Sequence, residues 1–286
     1  MNLPGWVVDL GTQHSLLPLA EELVPTWSDG ICSVFRLSAN PERALYRYKY
    51  GRLAEAEIDF NAMTVRFSSL SAGSPNGIFE HFLLDIIQPR ILDWQGKLVV
   101  HAGSAQLGEQ VVLFIGNSGA GKSTLTASFY AAGFTTMSDD CVVIDQCRET
   151  LMVKAVYPGI RLLPDTLQAL FPRETVTTEY PDFFNKRRIV PDGGMTAASC
   201  RLSALFFISD PTEKVIAVRP MSAAECCMGL IRQAFALDPS KSDRAVTRMK
   251  QVATVANKVP AFKLCYPRDV AFLPMLHSRI FDSISV

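Results

Sequence analysis

Gly116-Asn117-Ser118-Gly119-Ala120-Gly121-Lys122-Ser123-Thr124 sets residues of particular type at particular spacing, and together they suit the capture of an anion. The stretch fills the G-x-x-x-x-G-K-[ST] phosphate-binding template at every fixed position. Gly116, Gly119 and Gly121 permit a tight wrap in which successive backbone N–H groups point inward. A helix starting near Lys122 would add the positive end of its dipole. Lys122 would bring a point charge to the β- and γ-phosphates of a nucleotide, and the Ser123 hydroxyl would reach a magnesium ion.

Such a loop specifies a nucleotide and not yet a reaction. Asp139-Asp140 follows it, directly ahead of the apolar run Cys141-Val142-Val143-Ile144. Two adjacent carboxylates on an extended chain point to opposite sides. One can hold magnesium through its waters while the other faces an acceptor hydroxyl and takes its proton during in-line attack. The alternative is a turn pair capping a strand. Asp145, at the far end of the same run, ranks lower as the metal-binding acid. His101 ends Leu98-Val99-Val100 and precedes the strand of the loop as a hairpin neighbour would. That position would let it tune the phosphates or the acidic pair. His14, His81 and His277 have no such neighbourhood. Arg161 lies in Tyr157-Pro158-Gly159-Ile160-Arg161-Leu162-Leu163-Pro164-Asp165 and can bond a phosphate through two N–H groups. Asp165 there is a natural helix N-cap. Lys186-Arg187-Arg188 reads equally as a solvated charged loop or as a contact for the γ-phosphate or an anionic part of a substrate.

These groups need a scaffold. Val111-Val112-Leu113-Phe114-Ile115 has the continuous apolar pattern of a strand buried on both faces, and a helix follows from Leu125. Residues 1–75 form a small strand-rich lobe, with alternation at Cys32 to Leu37 and Ala44 to Tyr50. Ile58 to Phe60 and Met63 to Phe67 make a hairpin across Asn61-Ala62. A loop is expected over 71–77, then a helix from Ile78 to Trp94 that Pro89 kinks or divides. Residues 76–286 carry the phosphate-binding domain, with further strands at Ala204 to Ile208 and Lys214 to Val218 and helices at Ala223 to Phe235 and Ser242 to Asn257.

Composition narrows the class. The chain has 286 residues with 48% apolar content, ample for a packed core. Lys plus Arg and Asp plus Glu number 28 each, and this balance speaks against a nucleic-acid partner. Seven cysteines without a C-x-x-C pair read as free thiols in a reducing compartment. The N-terminus lacks the pattern of a signal peptide, and no apolar run approaches the roughly 20 residues of a membrane span. A soluble cytoplasmic protein is expected, with no membrane partner and with homo-oligomerisation left open.

The combination of His101, Gly116 to Thr124 and Asp139-Asp140 resembles the catalytic domain of the HPr serine kinase/phosphorylase family, over roughly residues 90–260. The segment from Pro158 to Leu162 and the Leu205 to Ile208 strand are similar to the HPr kinase-related branch, as is the lobe at 1–75. That branch includes lasso-peptide kinases that phosphorylate a precursor's C-terminal serine. The resemblance implies an α/β phosphate-loop domain with a mixed sheet, preceded by a small β-rich lobe, and the short strands of that lobe suggest peptide recognition by strand addition. It implies ATP and Mg2+, with Asp139 as general base, Asp140 and Ser123 on the metal, Lys122 on the β/γ-phosphates, His101 orienting the acids and Arg161 assisting phosphate binding. Residue types alone do not decide which aspartate plays which part. Thr124 departs from the glutamate common after the loop serine, and the family's C-terminal signature for dephosphorylation is not recognisable; together these speak against the reverse phosphorylase reaction and against HPr as substrate. The expected activity is transfer of the γ-phosphate to a serine of a peptide or small protein, such as a ribosomal (lasso-type) precursor. The rivals are an ATPase or nucleotide switch, a non-catalytic nucleotide-binding partner, and a small-molecule kinase acting on serine or a sugar. A GTPase is disfavoured because Arg188 stands where an N-K-x-D motif requires aspartate.

Overall fold

A computed structural model describes residues 3–9, 16, 19–20, 22–40, 42–69, 78–156, 159–172, 186–189, 199–209 and 215–284. The loop expected over 71–77, Tyr157, Pro158 and Lys214 lie outside the described residues. Strands β1 (Val7–Asp9), β2 (Trp27–Ser28), β3 (Cys32–Arg36), β4 (Leu45–Tyr50), β5 (Ala54–Asp59) and β6 (Thr64–Ser69) form a six-stranded sheet in the order β1-β6-β5-β4-β3-β2. Only the β1–β6 pair is parallel. Alternation along β4 buries Tyr46, Tyr48 and Tyr50 against Ile58, Val65 and Phe67. The expected hairpin is present, its turn held by Asp59 Oδ1 accepting from the Asn61 and Ala62 N–H groups. The core of this sheet continues past residue 75 and takes in Phe82, Leu83, Ile87 and Ile91.

Those residues belong to one helical run whose middle is not α-helical. Helix α1 (Ile78–His81) passes into a π-helical turn (Phe82–Ile87) and then helix α2 (Gln88–Trp94). Proline explains the break. Pro89 has no N–H to give the carbonyl of Asp85 four residues earlier. The backbone widens ahead of it, and the Gln88 N–H bonds the Leu83 carbonyl in the i→i+5 pattern.

The second sheet holds β7 (Leu98–Val100), β8 (Ala102–Leu107), β9 (Gln110–Ile115), β10 (Val142–Cys147), β11 (Thr150–Ala155), β14 (Cys200–Ile208), β15 (Ala217–Pro220) and β16 (Ala261–Cys265). A two-stranded ribbon, β12 (Ile160–Leu162) with β13 (Arg187–Ile189), stands apart. Strand β14 is the hub. It pairs in parallel with β9 along one edge, and along the other with β11 at its start and β16 at its end. Strands β7 and β8 therefore lie in different arms, and His101 alone joins them. The strand near Lys214 to Val218 starts later than expected, at Ala217, where pairing with β16 sets its register. Strands β11 and β16 were not foreseen.

Both faces of the second sheet are covered. Val111, Leu113 and Ile115 of β9 face α5 (Ala223–Gln233) and α6 (Ser242–Lys258), where Leu230, Val252 and Val255 meet them. Val112 and Phe114 face α3 (Lys122–Ala131) and the unforeseen α7 (Leu273–Ile284), where Phe129, Leu276 and Ile280 pack. This double cover is why the β9 sequence is continuously apolar. Helix α4 (Pro164–Leu170) follows β12, and its N-cap is Leu163. Asp165 sits inside the first turn rather than at the cap, because Pro164 already occupies the first helical position. No described helix is long and apolar enough to cross a membrane.

Strand β8 and helix α3 approach most closely at Gly103. A Cβ there would stand 2.2 Å from Thr126 Oγ1 and 3.3 Å from the Lys122 carbonyl. Gly103→Ala is expected to push the first turn of α3 off the sheet and to cost about 1–3 kcal/mol, the usual range for overpacking. Urea denaturation checks it; an unchanged midpoint would show that the helix is not pinned there.

Candidate functional site

The glycine-rich loop runs from the end of β9 into α3. Gly121 precedes the helix at φ +101°, and a Cβ on it would meet the Tyr266 hydroxyl at 2.9 Å. No side chain caps α3, so its first-turn N–H groups are left for a ligand. They border a 240 Å3 cavity walled by Ser118, Gly119, Lys122, Ser123 and Thr124 on one side and by His101, Asp140, Arg161 and Lys186 on the other. Lys122 is 5% exposed and folds back over the loop, its Nζ donating to the Gly116 (2.7 Å) and Asn117 (3.1 Å) carbonyls. Burial pulls its pKa down to about 8, against the opposing pull of Asp140 and Asp139.

Two serines clamp the segment that carries the acidic pair. Ser104 Oγ on β8 accepts from the Met137 and Ser138 N–H groups and donates to the Ser138 carbonyl. Ser138 Oγ donates to the Cys141 carbonyl and accepts from its N–H. Asp139 and Asp140 are thereby presented from a buried turn.

The two carboxylates have opposite surroundings. Asp139 is 0% exposed; its Oδ2 accepts the Arg161 N–H at 2.9 Å and its Oδ1 has no hydrogen-bond partner. Burial, then the charge of Asp140, push Asp139 up to about 7, while the Arg161 N–H and the Ser123 hydroxyl pull the other way. Asp140 Oδ2 accepts from Arg161 Nε at 2.7 Å, and its Oδ1 stands 3.8 Å from His101 Nε2. Burial alone would raise Asp140, but Arg161 and then His101 hold it well below the usual carboxylate range. The pair thus divides into a carboxylate poised to exchange a proton near neutrality and one kept charged.

His101 stacks on Phe235 with 6.2 Å between ring centroids. Burial, Lys122 and Arg161 bring its pKa down to about 4, so at neutral pH it is uncharged. Its side chain keeps 33% of its surface at the cavity mouth. Asp145 is remote from the cavity and pairs with Lys97 at 3.1 Å.

Arg161 reaches further than the loop. Its Nη1 donates to Asp85 Oδ2 at 2.8 Å and meets His81 Nδ1 at 3.0 Å. Asp85 lies in the π-helical turn, and Arg188 Nη2 stands 3.7 Å from its other oxygen. His81 Nδ1 also bonds Asp85, and its Nε2 meets the Tyr50 hydroxyl at 3.3 Å. Burial would lift Asp85, yet Arg161 and His81 keep it below its ordinary value. This network joins β4 of the first sheet to Asp140. The basic cluster expected as a loop is in part strand β13: Lys186 lines the cavity, and Arg188 is buried against Asp85.

The structure therefore brings His101, the glycine-rich loop, Asp139, Asp140 and Arg161 together, and adds His81, Asp85, Arg188, Ser104 and Ser138. Arg188 belongs to the basic cluster singled out in the sequence, and Asp85 is visible there only as an acid within the apolar run Phe82-Leu83-Leu84-Asp85-Ile86-Ile87. His277, bonded to Ser128 Oγ at 2.8 Å, is structural.

Among the described residues no group of three or more His, Cys, Asp or Glu side chains forms a ready metal site. Oxygen groups near the loop are the Ser123 hydroxyl and the Asp140 carboxylate on the cavity wall, with Asp139 buried beside them and its Oδ1 unpartnered. That set suits a hard cation such as Mg2+, which keeps waters and takes further oxygens from phosphates.

No family model matches the chain, and no curated protein matches it in sequence. Solved structures similar to it include the Hpr(Ser) kinase/phosphatase from Coxiella burnetii, at 10% identity and a TM-score of 0.34, covering 65% of this chain and 95% of that one.

Proposed function

We propose that the chain is an ATP- and Mg2+-dependent kinase that transfers the γ-phosphate to a serine hydroxyl of a peptide or small protein, of the ribosomal precursor class. One observation carries this: Asp139 is buried with its pKa raised to about 7 and its Oδ1 without a hydrogen-bond partner, beside a kept-charged Asp140 and an uncapped helix N-terminus. A hydrolase that only turns over nucleotide has no need of a second cavity beyond the acids. Here a 300 Å3 cavity shares His101, Ser118, Asp140 and Arg161 with the first and opens toward Ile31 and Tyr50 of the first sheet.

ATP would bring the phosphoryl group, and Mg2+ would neutralise charge building between its β- and γ-phosphates. Lys122 leaves the loop carbonyls to bind the phosphates, with the first-turn N–H groups of α3 beside it. Ser123 and Asp140 would hold the cation through oxygen. Asp139 Oδ1 accepts the acceptor hydroxyl's proton as the new O–P bond forms and the β–γ bridge breaks, so ADP leaves with the negative charge. At neutral pH the positive charge against Asp140 is that of Arg161, since His101 is uncharged there. The first sheet is the peptide-recognition lobe in this scheme, its edge strand β2 lying near the acceptor side.

The test is mass spectrometry of serine-containing precursor peptides incubated with the chain, ATP and Mg2+. A gain of one phosphoryl group is expected. Asp139 must be deprotonated to act, so log kcat/KM should climb with pH up to about 7 and then level. ATP consumption without peptide mass gain would replace the kinase by an ATPase.

A further inference from the structure

Arg90 on α2 is a buried cation without a matching anion. It is 9% exposed and has no carboxylate partner among the described residues. Its Nη1 donates to the Ile86 carbonyl at 2.7 Å, while its Nε is buried and unbonded. The guanidinium lies over three rings, 5.4 Å from Tyr48, 5.4 Å from Phe235 and 5.8 Å from Trp27. A guanidinium keeps its charge, and removing it from water is costly unless hydrogen-bonded anions face it. The rings fix its plane but leave its Nε unmatched.

Its location says what could match them. Arg90 lines the 300 Å3 acceptor-side cavity and also a 420 Å3 cavity beyond it, the two sharing Asp29, Arg90, His101 and Phe235. The first of these is also lined by Asp140 and Arg161, which wall the loop cavity. Asp85 and Asp140 are both committed to Arg161. Asp29 is exposed, and its Oδ1 accepts from the Ile31 and Cys32 N–H groups. A dianion would be repelled by these three acids more than a monoanion. A planar carboxylate also fits the fork of a guanidinium.

Building on the kinase function proposed above, we infer that Arg90 binds a carboxylate of the hydroxyl-bearing acceptor and so holds the hydroxyl toward Asp139. The carboxylate is a peptide C-terminus, the α-carboxylate of free serine, or an acidic side chain beside the acceptor serine. A small cavity walled by one buried cation and by Asp140, the chain neighbour of Asp139, selects molecules that carry a carboxylate as well as the hydroxyl.

The experiment is saturation-transfer NMR of N-acetyl-serine and N-acetyl-serine amide on the full chain, followed by transfer assays. Wild type should bind the acid about 10–100-fold more tightly than the amide, the range for hydrogen bonds to a charged group. Arg90→Gln should erase that preference while nucleotide affinity and melting temperature hold. Arg90→Lys, which keeps the charge and loses the fork, should retain part of it and serves if the glutamine variant does not fold. Equal binding of acid and amide by wild type, or a preference that survives both variants, overturns the assignment. Acid preference without any phosphoryl transfer would leave the subsite standing and remove the kinase; transfer with no such preference would do the reverse. Serine peptides ending as free acid, as amide, or as amide with a neighbouring aspartate then identify which carboxylate Arg90 reads.

Discussion

Asp139→Asn is expected to lower phosphoryl transfer by about 10²–10⁴-fold, the usual contribution of a positioned general base, while nucleotide affinity changes little. The asparagine keeps the shape and the Oδ2-side acceptor for the Arg161 N–H. It removes the group that receives the proton. Stability separates this from mere damage to the fold. Asp139 has its folded-state pKa raised from 3.8 to about 7, so ionising it works against folding. Its adverse contribution is absent below pH 3.8, grows through the interval and is complete above about 7. The asparagine variant should therefore match or exceed wild type in urea midpoint at pH 8 and lose that advantage at pH 4. Activity lost together with stability at pH 8 would contradict the assignment of Asp139 as base.

Arg161→Ala should be the most damaging single change to the fold at the site. It takes the shared guanidinium from two buried carboxylates whose side chains keep 6% and 10% of their surface, Asp85, which retains His81 and Arg188, and Asp140. Truncating one partner of a buried ion pair typically costs about 3–5 kcal/mol. Both acids have pKa values lowered in the folded state, so the stability they lend is present above the ordinary carboxylate value of 3.8 and is lost as pH falls. The gap between wild type and variant should be full at pH 7 and should narrow at about pH 2, below the ordinary carboxylate value. Urea titrations at both pH values decide it. A gap of equal size in both would mean that lost packing and not charge is responsible. Arg161→Lys should lie between, since lysine cannot reach Asp140 and Asp85 with two separate donors.

What could be read along the chain was local. The loop from Gly116 to Thr124 is contiguous, and each of its residues has a chemical reason that does not depend on distant parts. Asp139-Asp140 and His101 were legible for the same reason, since their flanking strands are short and apolar. Arg161 was visible as a cation near the site, but the groups it meets were not. Asp85 lies 76 residues before it in the chain. Helical periodicity assigns an acid at that position to a solvent face, and nothing local says that a π-helical turn aims it inward. The forked sheet was hidden as well. Strand β14 divides one edge between β11 and β16, and that choice depends on pairing partners far apart in sequence. Arg90 shows the same limit, because only three rings from three separate elements reveal that it is buried.

The widened turn at Phe82–Ile87 has a further consequence, best put as phase. An α-helix advances roughly 100° per residue, so a single surplus residue rotates everything beyond it by about that angle relative to what came before. Phe82 and Leu83 on one side and Ile87 and Ile91 on the other still seat in the same core. The surplus is absorbed between them, where Asp85 stands. Shortening the turn by one residue would restore an unbroken ladder but force a choice between the two flanks: either the later apolar residues leave the first sheet or the acid swings away from Arg161. The length of this segment is therefore a constraint as strict as the identity of any residue in it.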